Sequence, residues 1–426
     1  MKLINTKEYT LMCKDIPICD ILLENESIKE VMEIHNLNYA PIDTVVFGEM
    51  KLDRLNDWLS ERAIPIDRDG YDAIVKNLKV KDAKQYLINN YALSLSDQYW
   101  IKPEGTHLEW KDVNFFDNDY SSIEFSDATF GKNSNINTSL GRINMNTQHL
   151  RTPNASLGGA LKKVWMKVDG VNIMIKGANT LHGLEPIHEA LASKIAQILE
   201  LDCVKYSIAE IKGKRTNQLV SVCADIADSS RQIISAYSLI RGFPEYRIKD
   251  YPSYINFLEN ELNIPDAKAK IDKMLMVDYI MLNEDRHLNN FGVIRNSDTL
   301  EWEDVCPLYD TGKSLCTAIN EEYWDFKNGE INSFEGTYEN SQYLMDIVQT
   351  SVVPHMIEEL RELGLWYKDE LKKHMDILKI NHNTIKKLEE GFLTRVEEFE
   401  RNMIQKDLIN EEIKDEIEHH DHDLIL

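Results

Sequence analysis

The chain is short of positive charge: 48 Lys and Arg stand against 72 Asp and Glu, a formal net charge of −24 over 426 residues. Such a surface repels a phosphate backbone on average, so direct binding of nucleic acid is not expected. No run approaches the ~18 uncharged apolar residues of a membrane span. The apolar stretch from Met274 to Leu282 is short and contains Asp278. The start, Met1 to Glu8, has neither the apolar core nor the small-residue cleavage site of a signal peptide. A cytoplasmic protein that does not act at a membrane is expected. The six cysteines, Cys13, Cys19, Cys203, Cys223, Cys306 and Cys316, form no Cys-x-x-Cys pair and no zinc-ligand spacing. They read as reduced, mostly buried thiols. There is no internal repeat.

What is present is ordinary for a globular protein. Hydrophobic residues make up 43% and charged residues 28%, which excludes wholesale disorder. At about 150 residues per domain, the length gives two to three folding units. We expect three parts: an N-terminal accessory region over 1–145, a β-rich part over 146–226 and a helical part over 227–426. In the first part Leu52, Leu55 and Leu59 have helical spacing, and an aromatic, Asp/Asn-rich segment runs from Tyr99 to Phe116. Gly131 to Thr138 reads as a polar loop or linker. From Val164 to Lys176 two β-rich runs flank Asp169-Gly170, a pair that tolerates the positive φ angles of a type I′ hairpin turn. Ile187, Leu191, Ile195, Ile198 and Leu199 then form one helical stripe over about 186–201. Two more β-rich runs, 204–211 and 219–226, flank Lys212-Gly213-Lys214. After Ala227 the pattern is mainly helical, with a long periodic stretch over 367–418. The histidine-containing end, His419 to Asp423, reads as a solvated tail.

The strongest local signal is Asn283-Glu284-Asp285-Arg286-His287-Leu288-Asn289-Asn290-Phe291-Gly292, between an apolar helical stretch and the β-like run Gly292-Val293-Ile294. In protein kinases a catalytic-loop Asp faces the attacking hydroxyl, and an Asn five residues later ligates magnesium. Asp285 and Asn290 have that spacing. Magnesium on the phosphates needs a second carboxylate from elsewhere, and Asp310, after a short strand-like Pro307-Leu308-Tyr309, answers this. Lys176 ends the second hairpin strand, where it can meet nucleotide phosphates, and Glu189 on the next helix can pair with it. Gly158 and Gly159, in Ser156 to Lys163, allow backbone N–H groups to approach phosphate. Singly, most of these are weak: two glycines are usually a turn, and a strand-end lysine or helix glutamate is usually solvated. Asp285, Arg286 and His287 alone could equally be an ion-pair knot at a helix end. Their order along the chain is what tells against coincidence.

These residues resemble the HipA-like serine/threonine kinases. The likeness runs from Asn154 to Asp310 and rests on Ser156-Leu157-Gly158-Gly159-Ala160, Lys176, the Glu189 helix, Asn283-x-Asp285-Arg286-His287-x-x-Asn290-x-Gly292 and Pro307-Leu308-Tyr309-Asp310. It implies an α+β, bilobal protein-kinase-like fold with a small β-rich N-lobe, a larger helical C-lobe and an N-terminal accessory region. It implies ATP and Mg2+ as cofactors, Asp285 as catalytic base and Asn290 and Asp310 as magnesium ligands. Lys176 would contact the ATP phosphates, and backbone groups of Ser221 to Ala224, including Ser221 and Cys223, would meet adenine. Ser156 matches a serine that is autophosphorylated in the family, which ejects the loop. Where the family's loop has Gln and Pro, this chain has Leu161 and Lys162. A protein Ser/Thr substrate and a small antitoxin partner follow from the same resemblance.

Rival readings are a lipid or small-molecule kinase with a similar loop, which the acidic charge disfavours at anionic membranes, and a nucleotide-binding regulatory module without turnover. Asp310-Thr311-Gly312 spells an aspartic-protease triplet, but no second copy exists. Gly312-Lys313-Ser314 echoes a Walker A loop, but Pro307 stands where its first glycine belongs. His287 belongs with Asp285 in the catalytic loop, as a residue that organises it by hydrogen bonds rather than as a metal ligand. His182 and His188 read as surface or helix-start residues.

Overall fold

A computed structural model of the chain describes residues 6–131, 151–212 and 217–409. The expected linker from Lys132, most of the turn at Lys212-Gly213-Lys214 and the tail at His419 lie outside the described residues. The chain forms two compact units. One comprises Met1–Asn179, Ser207–Ile264 and Phe291–Cys306; the other comprises Thr180–Tyr206, Pro265–Asn290 and Pro307–Leu426. The protein mixes small antiparallel sheets with many helices. No helix among the described residues is long and apolar enough to cross a membrane.

Among the described residues, the first unit holds three sheets of three or four strands and a two-stranded pair, Val45–Val46 with Glu49–Met50. β1 (Thr6–Cys13), β2 (Ile16–Glu24), β3 (Ser27–Ile34) and β4 (Tyr99–Pro103) form the first, in the order β3-β2-β1-β4. Leu11, Ile18, Ile21 and Trp100 are fully buried there, and the helix Leu52–Glu61 adds Leu55, Trp58 and Leu59 to the same core. Leu52, though in register with that stripe, stays exposed.

The second sheet runs β5 (Lys163–Val168), β6 (Val171–Lys176), β7 (Ser207–Ile211) and β8 (Gln218–Ala224), in the order β5-β6-β8-β7. The β5–β6 turn is the one expected: Asp169 (φ 49°) and Gly170 (φ 83°) both have positive φ, and Val168 faces Val171 in register. A third sheet, β9 (Arg231–Ser235), β10 (Gly292–Asn296) and β11 (Trp302–Val305), interrupts the mainly helical reading beyond Ala227. Its strands are only 5, 5 and 4 residues long, too short for a period-2 signal to stand out from helix. Gly292 permits the sheet: a Cβ there would lie 2.1 Å from the Ile234 carbonyl oxygen.

The second unit is mostly helical, built on α1 (Glu185–Ile198), α2 (Ala267–Met281), α3 (Pro354–Lys373) and α4 (His382–Gln405). α3 and α4 each bury one apolar stripe, including Leu360, Tyr367 and Leu371 on one and Leu388, Phe392, Val396 and Phe399 on the other. α1 and α2 are buried on nearly every face over Glu185–Ser193 and Met274–Met281. His188 lies in the first turn of α1, as the helix-start reading has it, but not at the surface: it is fully buried, its Nε2 2.7 Å from the Tyr367 hydroxyl. Burial pushes its imidazole down to about 3, so the ring is neutral. The expected short strand before Asp310 reduces to a single parallel bridge between Leu308 and Cys203.

Candidate active site

In the second unit, α2 ends at Met281, and Leu282 turns the chain with left-handed φ 45° into the Asn283–Asn290 loop. Asp278, on the last turn of α2, organises that loop. Its carboxylate accepts from Arg286 Nε (2.8 Å), Arg286 Nη2 (2.9 Å) and Asn283 Nδ2 (2.7 Å). Arg286 Nη1 donates to the carbonyls of Asn290 (2.5 Å) and Tyr309 (2.8 Å). One buried guanidinium therefore ties the helix end, the Asn290 end of the loop and the segment entering Asp310 together. The ion pair differs from the Asp285-Arg286-His287 knot that the sequence allowed: Arg286 pairs with Asp278 on α2, and Asp285 with Lys313.

Within the loop, His287 N donates to the Asp285 carbonyl (2.8 Å) and Asn290 N to the His287 carbonyl (2.8 Å). His287 Nδ1 accepts from Asn289 N at 3.2 Å, so this ring braces the loop as expected. Asn290 Nδ2 donates to the Asp285 carbonyl (2.8 Å), which commits its nitrogen and leaves its amide oxygen on the other side. Asp310 has φ 56°, a left-handed conformation that costs a non-glycine residue energy and is found where a side chain must be aimed. Its N–H donates to the Tyr206 hydroxyl at 3.3 Å.

Lys313, which the sequence reading passed over as part of a failed Walker motif, sits 3.1 Å from the Asp285 carboxylate. Its carbonyl accepts from Glu284 N (3.0 Å), and Leu315 N donates to the Met281 carbonyl (2.8 Å), locking the Asp310–Leu315 segment onto the loop. Burial pushes the Glu284 carboxyl up to about 7, with Lys313 acting against it and Asp285 and Glu330 adding to it. Gly312 packs closely against α1: a Cβ would meet the Glu185 Cβ at 3.0 Å and the Glu189 Cγ at 3.4 Å. Glu189 thus lies on α1 beside the Asp310-Thr311-Gly312 turn.

The first unit gathers Ser156, Gly158, Gly159, Lys176, Ser221 and Cys223. Asn154, fully buried, anchors the loop start by accepting from Trp165 N (2.7 Å) and donating to its carbonyl (3.1 Å). Ser156 Oγ donates to the Pro153 carbonyl at 3.0 Å. Lys163, Lys176 and Ser221 occupy directly opposed positions on β5, β6 and β8, so they share one face of the sheet. Gly177 N donates to the Lys162 carbonyl (2.7 Å), closing the loop's far end against Lys176. β7 begins at Ser207, opposite Val222, and Ala224 lies beyond it, paired with Ile173 of β6. Arg68 also belongs here; it stands in no motif, and only its contacts reveal it.

Residues 155–363 match the HipA-like C-terminal domain family. No curated protein matches the chain. Among solved structures, a chain of the Shewanella oneidensis MR-1 HipA, HipB and operator DNA toxin–antitoxin complex is similar, with 13% identity and a TM-score of 0.51 over 94% of this chain and 100% of that one. The Helicobacter pylori proinflammatory kinase CtkA aligns with 16% identity and a TM-score of 0.40 over 57% of this chain and 92% of that one. The Shewanella likeness is one of fold.

Proposed function

We propose, from the match of residues 155–363 to the HipA-like C-terminal domain family, that the chain is a HipA-type kinase, ATP- and magnesium-dependent, acting on protein Ser/Thr hydroxyls. The observation that carries the reading is the Arg286 knot, which holds Asn290 and the approach to Asp310 on one support while Asp285 stays ionically paired beside them.

In this reading Asp285 takes the proton of the acceptor hydroxyl, and Lys313 keeps the carboxylate oriented and lends positive charge where the phosphoryl group passes. The donor set fits a hard divalent cation: the Asn290 amide oxygen and the Asp310 carboxylate would hold magnesium, which supplies charge neutralisation on the phosphate oxygens when bound. Lys176 would meet the phosphates, and backbone groups of Ser221 to Ala224 would meet adenine. Phosphoryl transfer asks all of these residues to serve one nucleotide. In domain terms we keep the accessory region, N-lobe and C-lobe at 1–145, 146–226 and 227–426.

Ser156 is the proposed autophosphorylation site. Its hydroxyl is tied to the Pro153 carbonyl, and a phosphate there would remove that donor and place new negative charge at the loop's base. The Shewanella complex, which contains HipB and operator DNA, supports a small antitoxin partner for this chain. The exclusion of nucleic acid drawn from net charge is not carried forward, because an acidic subunit can sit in an assembly whose partner reads DNA.

Calorimetry of the full chain with ATP, with and without Mg2+, tests the reading. Tight binding should require magnesium in the wild type, and Asp310→Asn should lose that requirement. Magnesium-independent binding with no transfer to protein, lipid or small molecule would instead mark a regulatory module. Transfer to lipid vesicles alone would mark a lipid kinase.

A further inference from the structure

The accessory region carries no motif, yet it supplies the side chain that shapes the glycine-containing loop. Arg68 follows the Pro65 turn ahead of the helix Tyr71–Leu78 and is 2% exposed. Its Nη2 donates to the carbonyls of Leu157 (2.8 Å), Gly158 (2.6 Å) and Gly159 (3.0 Å), and its Nε donates to Gly159 again (3.0 Å). Asp69 N donates to the Ala160 carbonyl at 3.1 Å, and Asp69 pairs with Lys162 at 3.2 Å. Four consecutive carbonyls are therefore turned onto the 68–69 segment.

In a trans peptide the C=O and the following N–H point in opposite directions, and no cis bond occurs among the described residues. The N–H groups of Gly158, Gly159 and Ala160 therefore face away from Arg68. None of them donates a backbone hydrogen bond among the described residues, and all three residues are exposed. Gly159 has φ +80°, the left-handed geometry that bends successive amides into an anion-binding concavity.

Charge points the same way. Arg68 Nη1 has no hydrogen-bond partner among the described residues. Desolvation pushes the guanidinium down to about 10, which leaves it cationic at neutral pH. Lys163 Nζ lies 2.8 Å from where a Cβ on Gly159 would sit, and Lys176 stands directly opposite Lys163 across the β5–β6 pair.

We propose that Arg68 is a positioning residue that holds Leu157–Ala160 in the form that receives the nucleotide's phosphates, so that the accessory region is a working part of the nucleotide site. The inference rests on the ATP reading above. It is tested on the full chain by calorimetry with ATP and with adenosine, in Arg68→Lys and Arg68→Gln, alongside kcat and KM for ATP. Both variants should keep adenosine affinity and lose ATP affinity by about tenfold or more, as expected for charge-assisted hydrogen bonds, with KM rising and kcat nearly kept. Unchanged ATP affinity, or adenosine and ATP falling in parallel, overturns it. Failure of the ATP reading looks different: the wild type then binds neither molecule. If the Arg68 variants do not fold, Gly159→Ala, which strains the same loop, must show the same ATP-selective loss, and its absence overturns the inference.

Discussion

Replacing Arg286 with methionine removes one partner of a pair whose side chains are 2% and 1% exposed. Asp278 would then be left in the interior with Asn283 Nδ2 as its remaining side-chain donor among the contacts described above. The Asn290 and Tyr309 carbonyls would lose a donor as well. Breaking a buried pair from one side costs about 3–5 kcal/mol, because a charge is stranded out of water. The carbonyl losses belong to the same network and do not add in full. Urea denaturation followed by tryptophan fluorescence should therefore show Arg286→Met destabilised by about 3–5 kcal/mol. The double variant Asp278→Leu, Arg286→Met strands no charge and should recover part of that loss, yet it should remain inactive, because nothing then ties Asn290 to the Asp310 segment. A single-variant loss under about 1 kcal/mol, the range of exposed pairs, would refute the reasoning. So would a double variant less stable than the sum of the two single losses.

Gly292→Ala should cost about 3 kcal/mol or more in the same assay, since its Cβ meets the Ile234 carbonyl oxygen at 2.1 Å and β9 must move; a loss near zero would mean that the strands are not so close. Lys313→Gln should barely change stability, because the pair with Asp285 is about one-third exposed, while lowering kcat by about tenfold or more; equal rates would remove Lys313 from the chemistry. The Glu284 carboxyl is raised by burial, so the folded state holds its proton more tightly than the unfolded chain. Its stabilising contribution is full below about pH 4.5 and is lost as pH climbs through about 7. Thermal melts across that window should flatten in Glu284→Gln, and an unchanged slope would show that Glu284 does not carry the dependence.

The hairpin at Asp169-Gly170 was readable because a two-residue turn with positive φ is a local demand with few solutions. The Asp285 loop stood out because Asn, Asp, Arg, His and Asn recur at short spacing directly after an apolar helix. β9 and β11 were not readable, because very short strands leave too few positions for alternation to show, and β10 was legible only as the run Gly292-Val293-Ile294. The burial of His188 was not readable for a related reason: α1 is covered on nearly all sides, and periodicity reports only an element with one dry face and one wet one. Arg68 and Lys313 were invisible for a further reason. Arg68 lies 89 to 91 residues from the carbonyls it holds, and Lys313 lies 28 positions beyond Asp285; no spacing rule reaches so far. Gly312, which suggested a protease triplet, is explained by its approach to Glu185 and Glu189.

The direct test of the kinase reading is incubation of the full chain with γ-labelled ATP and magnesium, followed by peptide mapping. The wild type should take up label, with Ser156 among the modified residues, and Asp285→Asn should bind ATP yet take up none. Label that persists in Asp285→Asn at the wild-type rate would contradict the role of Asp285 and the kinase chemistry built on it.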